Sequence, residues 1–285
     1  MKLQDVVNQP GKLPTIPKLG QQLVASFSDE DANIDDIARQ INADPALSAK
    51  LLRLANSAYF HVSRTVGTVQ AALQMLGFIM VRNLVLGSSV ASAFPKVPGV
   101  ELKQFWRYSL YTACVARWLA PRVRVNADMV FTLGLLHAVG QLQLHVVSPQ
   151  ALTALDRRVP VLEPTRAAAE RDALGYDYTM VSAELARIWN FPAPMSDILR
   201  VVAQPLESED WSVEAGVLHL AAWRARADVL GWDESTCSEQ FPHHVAQRLG
   251  VEPELFQGAV ADTSRSADTL PPLPELTDGM ESMFE

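Results

Sequence analysis

Cysteine, strand-like alternation and the common nucleophile and phosphate motifs are scarce or missing in this sequence. Each absence narrows what the protein can be. The two cysteines, Cys114 and Cys237, lie 123 residues apart with no CxxC pair. That excludes a disulfide scaffold or a zinc ribbon, and a reducing, cytoplasmic compartment is expected. No GxSxG, GxxxxGK[ST] or GxGxxG occurs, which removes the α/β-hydrolase elbow, the P-loop and the dinucleotide fold. No alternating run marks a strand, and the one Asp-Gly pair, Asp278-Gly279, lies near the end of the chain rather than between β-rich runs. Positive charge is short as well, with 24 Lys+Arg against 32 Asp+Glu and a net charge of −8. Nucleic acid is therefore not an expected partner, and no helix carries a recognition cluster of Arg, Lys and Asn.

What is present is apolar and helical. With 48% hydrophobic residues among 285, the chain can bury a core, and wholesale disorder is excluded. The acidity is uneven: residues 1–100 carry 9 basic and 7 acidic side chains, residues 101–187 carry 10 and 8, and the last 98 carry 5 and 17. The stretch from Met129 to Leu155 has no Asp, Glu, Lys or Arg. It does hold Gly134, His137, Gln141, Gln143 and His145, so it reads as a buried helix pair and not as a membrane span. The first residues show no signal-peptide apolar run, and no leader is expected.

Helix signals recur along the chain. Asn33 can cap a helix carrying Ile34, Ile37, Ala38 and Ile41. Asp44-Pro45 is a stronger start, because Asp accepts from free backbone N–H groups and Pro at the first helical position loses nothing. Leu47, Leu51 and Leu54 then form a stripe as far as Asn56-Ser57. A short helix from Thr68 to Leu76 stops at Gly77, and a longer one runs from Phe78 to Phe94. Another spans Glu101 to Ala120, ending before Pro121. Further patterns fall at 127–139, 149–158, 163–174, 178–190, 193–203, 213–230 and 243–249. The expectation is an all-α, compact multi-helix bundle. From about Asp262 the chain, with Leu270-Pro271-Pro272-Leu273-Pro274 and five acids in the last 18 residues, reads as a flexible tail.

The histidines are His61, His137, His145, His219, His243 and His244. The adjacent pair, in a polar stretch, reads as solvated. His137, inside Gly134-Leu135-Leu136-His137-Ala138-Val139-Gly140, reads as a buried, hydrogen-bonded imidazole in preference to a metal ligand. Asp44 is explained by capping and Asn56-Ser57 by helix termination, while Lys50, Arg53 and Arg64 read as a solvated face.

Leu13-Pro14-Thr15-Ile16-Pro17 and the run from Ile41 to Phe60 (INADPALSAKLLRLANSAYF) closely resemble the HDOD family, the HD-related output domains of bacterial signalling. Val69 to Gly77, Phe105-Trp106-Arg107-Tyr108-Ser109-Leu110, Gly134 to Gly140 and Ala186 to Pro192 resemble its later landmarks. The resemblance covers residues 12–230. It implies an HD-like bundle, with an N-terminal HDOD lobe at 1–99, an HD-like lobe at 100–261 and the acidic tail at 262–285.

HDOD domains are similar to HD and HD-GYP metal phosphohydrolases, and the resemblance sets out what those enzymes carry at matching positions. They place His at Tyr108, Asp at Ala138, usually Lys at Gln141, His at Tyr178, a His-His pair near Val202-Ala203 and a late Asp near Ala222. Of those ligands only His137 remains. Ala138 has no donor atom, and one imidazole cannot hold a catalytic divalent metal. The resemblance therefore implies a signalling or regulatory module without catalysis or cofactor, acting on a protein partner. Tyr108, His137, Ala138, Gln141, Tyr178, Val202 and Ala203 would mark a vestigial pocket, filled in by repacking or kept open for a ligand such as a nucleotide. Asp44, Pro45, Asn56 and Ser57 would be structural. The alternatives are a metal phosphohydrolase with an atypical site and a nucleotide-binding sensor. Input would arrive non-covalently or through another chain.

Overall fold

The computed structural model describes residues 2–9, 11–27, 34–57, 65–207, 211–259, 269–277 and 279–284, and among these there is no strand. The chain opens with α1 (Leu3–Val7), α2 (Lys18–Ala25) and α3 (Ile34–Ala43). Asp44 Oδ1 then accepts from the backbone N–H of Ala46 and Leu47, both at 3.0 Å, and starts α4 (Pro45–Ala55). Thr68 caps α5 (Val69–Leu76) through the N–H of Ala71. Gly77, at φ +80, takes a backbone conformation that other residues rarely reach, and there the chain bends by 114° into α6 (Phe78–Ser92). The cap read at Asn33 lies outside the described residues.

The long helix α7 (Leu102–Val123) starts on Glu101, which accepts from Lys103 and Gln104. It corrects the expected stop at Ala120, since the helix passes through Pro121 and ends at Arg124 in the left-handed region. Pro121 forfeits only one N–H bond so near the end, where the carbonyls already lack full pairing. Then come α8 (Ala127–Leu136), α9 (Val139–Val147), α10 (Pro149–Asp156), α11 (Arg166–Leu174), α12 (Tyr178–Ile188) and α13 (Ala193–Val201). The chain closes with α14 (Val213–Leu230), α15 (Glu234–Glu239), α16 (His243–Leu249), a 3₁₀ segment Pro253–Ala259, α17 (Leu273–Thr277) and a 3₁₀ turn Glu281–Met283.

The centre is α7, packed between α8 and α14, with α9, α12 and α13 forming a second group beside it. The run 127–147 is long and apolar enough to cross a membrane, but 94% of its apolar window is buried by the rest of the fold. Burying such a segment among helices satisfies its apolar surface without lipid. The N-terminal stretch packs on α9 and α12. Gln143 Nε2 donates to the carbonyls of Val6 and Lys12, and Trp189 Nε1 donates to that of Pro14 at 3.1 Å. The Leu13–Pro17 and Ala186–Pro192 landmarks are thus two halves of one contact.

The flexible tail is corrected for residues 269–277 and 279–284. Leu270, Leu273 and Met283 are fully buried, and Met280 is nearly so. α17 packs on α7, and the final turn packs on α4, α6 and α7. Composition suggested mobility because Pro and acids dominate the tail, yet four apolar side chains at spaced positions suffice to anchor it.

Candidate functional site

The site is built by two glycines that flank His137. A Cβ on Gly134 would fall 2.5 Å from Ala113 Cα, and one on Gly140 only 2.0 Å from the Tyr178 carbonyl oxygen. Without side chains, α8 approaches α7 and α9 approaches α12 at backbone contact. Ser182 Oγ, on α12, accepts from the Gly140 N–H at 2.9 Å and donates to the His137 carbonyl at 3.0 Å. The break between α8 and α9 is thereby held, and the His137 ring is turned into the interior.

That ring has both nitrogens engaged. Nδ1 donates to the Gly134 carbonyl at 2.7 Å, which leaves Nε2 to accept from the Tyr108 hydroxyl at 3.0 Å. Arg226 Nη2, on α14, donates to the same hydroxyl oxygen at 3.1 Å. His137 is wholly buried, and burial pulls its pKa down to about 4, with the Gly134 bond opposing and Arg226 adding to the fall. One helix face away, His219 Nδ1 donates to the Val202 carbonyl at 2.8 Å, and burial lowers its pKa to about 4 as well. Burial also raises the Tyr108 and Tyr178 hydroxyls, so both stay protonated.

A pH dependence follows from these two imidazoles. Both are neutral when folded and take up protons on unfolding. Their stabilisation is complete above the free value of 6.5 and is lost as pH falls toward 4. For His137 this is on the order of 3 kcal/mol; His219 contributes less, because it is not wholly buried. Urea midpoints should drop between pH 6.5 and 4, and His137→Gln should flatten that drop while lowering the midpoint at pH 7. An unaltered slope in the variant would sink the assignment.

Six of the seven pocket residues expected from the sequence, Tyr108, His137, Ala138, Gln141, Tyr178 and Val202, are buried, and Ala203 is half-buried. Tyr108 and His137 touch edge to face, with ring centroids 5.0 Å apart. The Gln141 amide lies beside Glu170, and neither of its polar atoms reaches a hydrogen-bond partner among the described residues. Val202 supplies a backbone carbonyl, not a ligand side chain. Arg226 and His219 were missed by sequence reasoning. The available signal was their spacing on α14, where 219, 222 and 226 share a face.

These donors do not fit a catalytic divalent metal. Nε2 of His137 is taken by a tyrosine, a fixed guanidinium lies one atom further on, and the two tyrosines are held neutral. Among the described residues, no three His, Cys, Asp or Glu side chains are grouped so as to hold an ion.

Beside this centre runs an ionic chain. His145, with Nδ1 on the Gln141 carbonyl, meets Asp156 at 3.1 Å. Asp156 meets Arg166 Nη1 at 2.6 Å, and Arg166 Nε meets Glu170 at 2.8 Å. Glu170 ends the chain by accepting from the Tyr178 N–H at 2.7 Å. His243 and His244 are exposed, and His61 and Arg64 lie outside the described residues.

The signature residues act on the backbone. Asp44 is the cap of α4 and Pro45 its first residue. Asn56 both donates to the Val66 carbonyl and accepts from the Val66 N–H, at 2.8 and 2.7 Å, so it closes the loop after α4 as well as ending the helix. Ser57 lies against Gly279 in the C-terminal segment. Lys50, read as part of a solvated face, instead donates to the Met283 carbonyl at 3.2 Å.

Two cavities lie elsewhere. One, of about 430 Å³, sits between α4, α6, α7 and the C-terminal turn, with Lys50, Trp106, Arg107 and Phe284 in its wall. The other, of about 530 Å³, lies near Phe27, Ile79, Arg82 and Met195. Neither includes any of the seven pocket residues.

Residues 13–205 match the family model of the HDOD domain. A structure from Shewanella amazonensis SB2B, described as a candidate phosphohydrolase, is 26% identical; it covers 99% of this chain and 96% of its own, with a TM-score of 0.70. An HDOD domain protein from Geobacter sulfurreducens is 19% identical, covering 87% of this chain and 95% of its own with a TM-score of 0.66; it shares the fold. A protein of Treponema pallidum (strain Nichols) is 25% identical over 265 residues, 90% of this chain, and this chain spans 49% of its length.

Proposed function

The chain belongs to the HDOD domain family, and from that premise we propose that it is a non-catalytic regulatory module that works by binding a signalling protein. The observation that carries this reading is the Arg226–Tyr108–His137 relay. Phosphoester hydrolysis by this route needs a metal to make hydroxide and to neutralise the phosphate. Here the last surviving ligand is spent on a hydrogen bond, beside a permanent positive charge that would repel a second cation. A guanidinium can neutralise a phosphate, but it cannot activate water, because it does not deprotonate in proteins.

A nucleotide sensor would need space around His137, and the buried side chains there leave that reading without support. A cytoplasmic setting belongs to this reading and rests on the two unpaired cysteines, Cys114 and Cys237.

The test is direct. The 285-residue chain incubated with Mn²⁺ or Fe²⁺ is expected to retain less than stoichiometric metal by elemental analysis. It is also expected to hydrolyse cyclic dinucleotides and generic phosphodiesters no faster than buffer. Turnover at about 1 s⁻¹ or above, the range of ordinary enzymes, would overturn the reading.

A further inference from the structure

We propose that the groove between α4, α6 and α7 is a docking site for an acidic, aromatic-bearing segment of a partner protein, occupied here by the chain's own residues 279–284. This rests on the reading of the chain as a binding module, and it names the surface and the chemistry that such binding would use.

The C-terminal turn lies in the groove as a bound peptide would. Phe284 stacks on Trp106, with ring centroids 5.8 Å apart and planes 18° from parallel. Glu281 faces Arg107 at 3.7 Å, and Lys50 takes the Met283 carbonyl at 3.2 Å. Met280 and Met283 are buried. Three kinds of recognition therefore coincide: a stacking face, a cation for a carboxylate, and a cation for the main chain. Aromatic residues and Arg at such positions are the usual anchors of protein interfaces.

The charge distribution selects the partner. Lys50, Lys103 and Arg107 surround the cavity, and among the described residues Glu281 is the acid in its wall. The occupying segment comes from the acidic third of the chain. Arg107 is the cation that meets the occupant's carboxylate, and a basic segment would set like charge against it.

Met280 and Met283 anchor the occupant, but its ion pair is open. The Arg107–Glu281 pair is 46% and 37% exposed, and an ion pair that open contributes little. An open cavity of about 430 Å³ remains beside the turn. That volume is within the range of ordinary ligand sites and can accept side chains the present occupant does not supply. Gly279 sits where only glycine fits: its φ is +78, and a Cβ there would fall 2.2 Å from the Ser57 Cβ. Being covalently attached, the segment competes at high effective concentration, and an outside peptide gains access when it is released.

The experiment uses the full chain, with a labelled synthetic peptide of residues 273–285 as the probe and fluorescence anisotropy as the readout. Gly279→Ala combined with Phe284→Ala dislodges the turn while leaving Lys50, Trp106 and Arg107 in place. The release variant is expected to bind the peptide at least ~10-fold more tightly than the wild type, by loss of the tethered competitor. Adding Arg107→Glu should weaken binding about tenfold, and a peptide carrying Glu281→Arg should recover it. Equal affinity for wild type and release variant, or no binding to a release variant that melts cooperatively, would overturn the proposal. So would concentration-dependent dimerisation of the release variant, which would assign the groove to the tail of a second copy. If the double variant fails to fold, Phe284→Ala alone serves, with an expected gain of roughly threefold, and no gain overturns the proposal. Metal and hydrolysis assays on the same preparations are independent of this outcome, so failure of the groove and failure of the non-catalytic reading can be told apart.

Discussion

Gly140→Ala is expected to lower the stability of the folded chain by roughly 3–5 kcal/mol, at the upper end of what single substitutions do. The added methyl would meet the Tyr178 carbonyl oxygen at 2.0 Å, the Ser182 nitrogen at 2.8 Å and the Val181 Cβ at 2.9 Å. Two of these are backbone atoms of α12 in its first and second turns, which cannot rotate away as a side chain can. Relief requires α9 to separate from α12, and that breaks the Ser182 bonds to Gly140 and His137. The resulting loss should appear as a shift in urea midpoint at constant slope. Gly67→Ala is the control, since nothing lies within 4 Å of a Cβ there, and its effect should stay within about 0.5 kcal/mol. A Gly140→Ala protein as stable as the control would remove the close approach that positions His137.

Arg166→Ala is the second large effect, with an expected loss of roughly 3–5 kcal/mol, the usual cost of breaking a buried pair from one side. Arg166 and Glu170 are 1% and 0% exposed, and the guanidinium also serves Asp156 and the Val159 carbonyl, each at 2.6 Å. Burial pushes the Glu170 carboxyl up to about 7 even with Arg166 opposing. A carboxyl whose folded pKa lies above its free value of 4.5 stabilises the fold fully below that value and loses the contribution as pH rises through 7. Removing Arg166 raises the folded pKa further. The deficit of Arg166→Ala should therefore be smaller at pH 5 than at pH 8, which thermal melts at the two values would read. A pH-independent deficit would mean that lost packing, not the stranded carboxylate, sets the cost.

Much of the architecture was legible because its signals are local. Asp44-Pro45, Thr68 and Gly77 act within one turn of themselves, and the structure places helix boundaries at each. The missed stop at Pro121 is equally local: a proline in the last turn sacrifices too little to end the helix before Arg124. At the site, His137 was read as a paired core histidine, and its partners are Gly134 and Tyr108. Arg226 was not found: spacing on α14 puts it on one face with His219, but does not say that this face meets Tyr108, 118 positions earlier. The tail was misjudged for a related reason. Pro-rich, acidic composition argues for mobility when averaged, but burial is decided by where a few apolar side chains land.

By itself, then, the chain determined an all-helical fold and its family, because caps, periodicity and a signature run are properties of residues and their near neighbours. Only the tertiary structure decided that a guanidinium and a tyrosine close around the remaining histidine. It also decided that the acidic end of the chain returns to lie on Lys50, Trp106 and Arg107. Those arrangements join positions far apart in the chain, and contacts of that range exist only once the helices between them have packed.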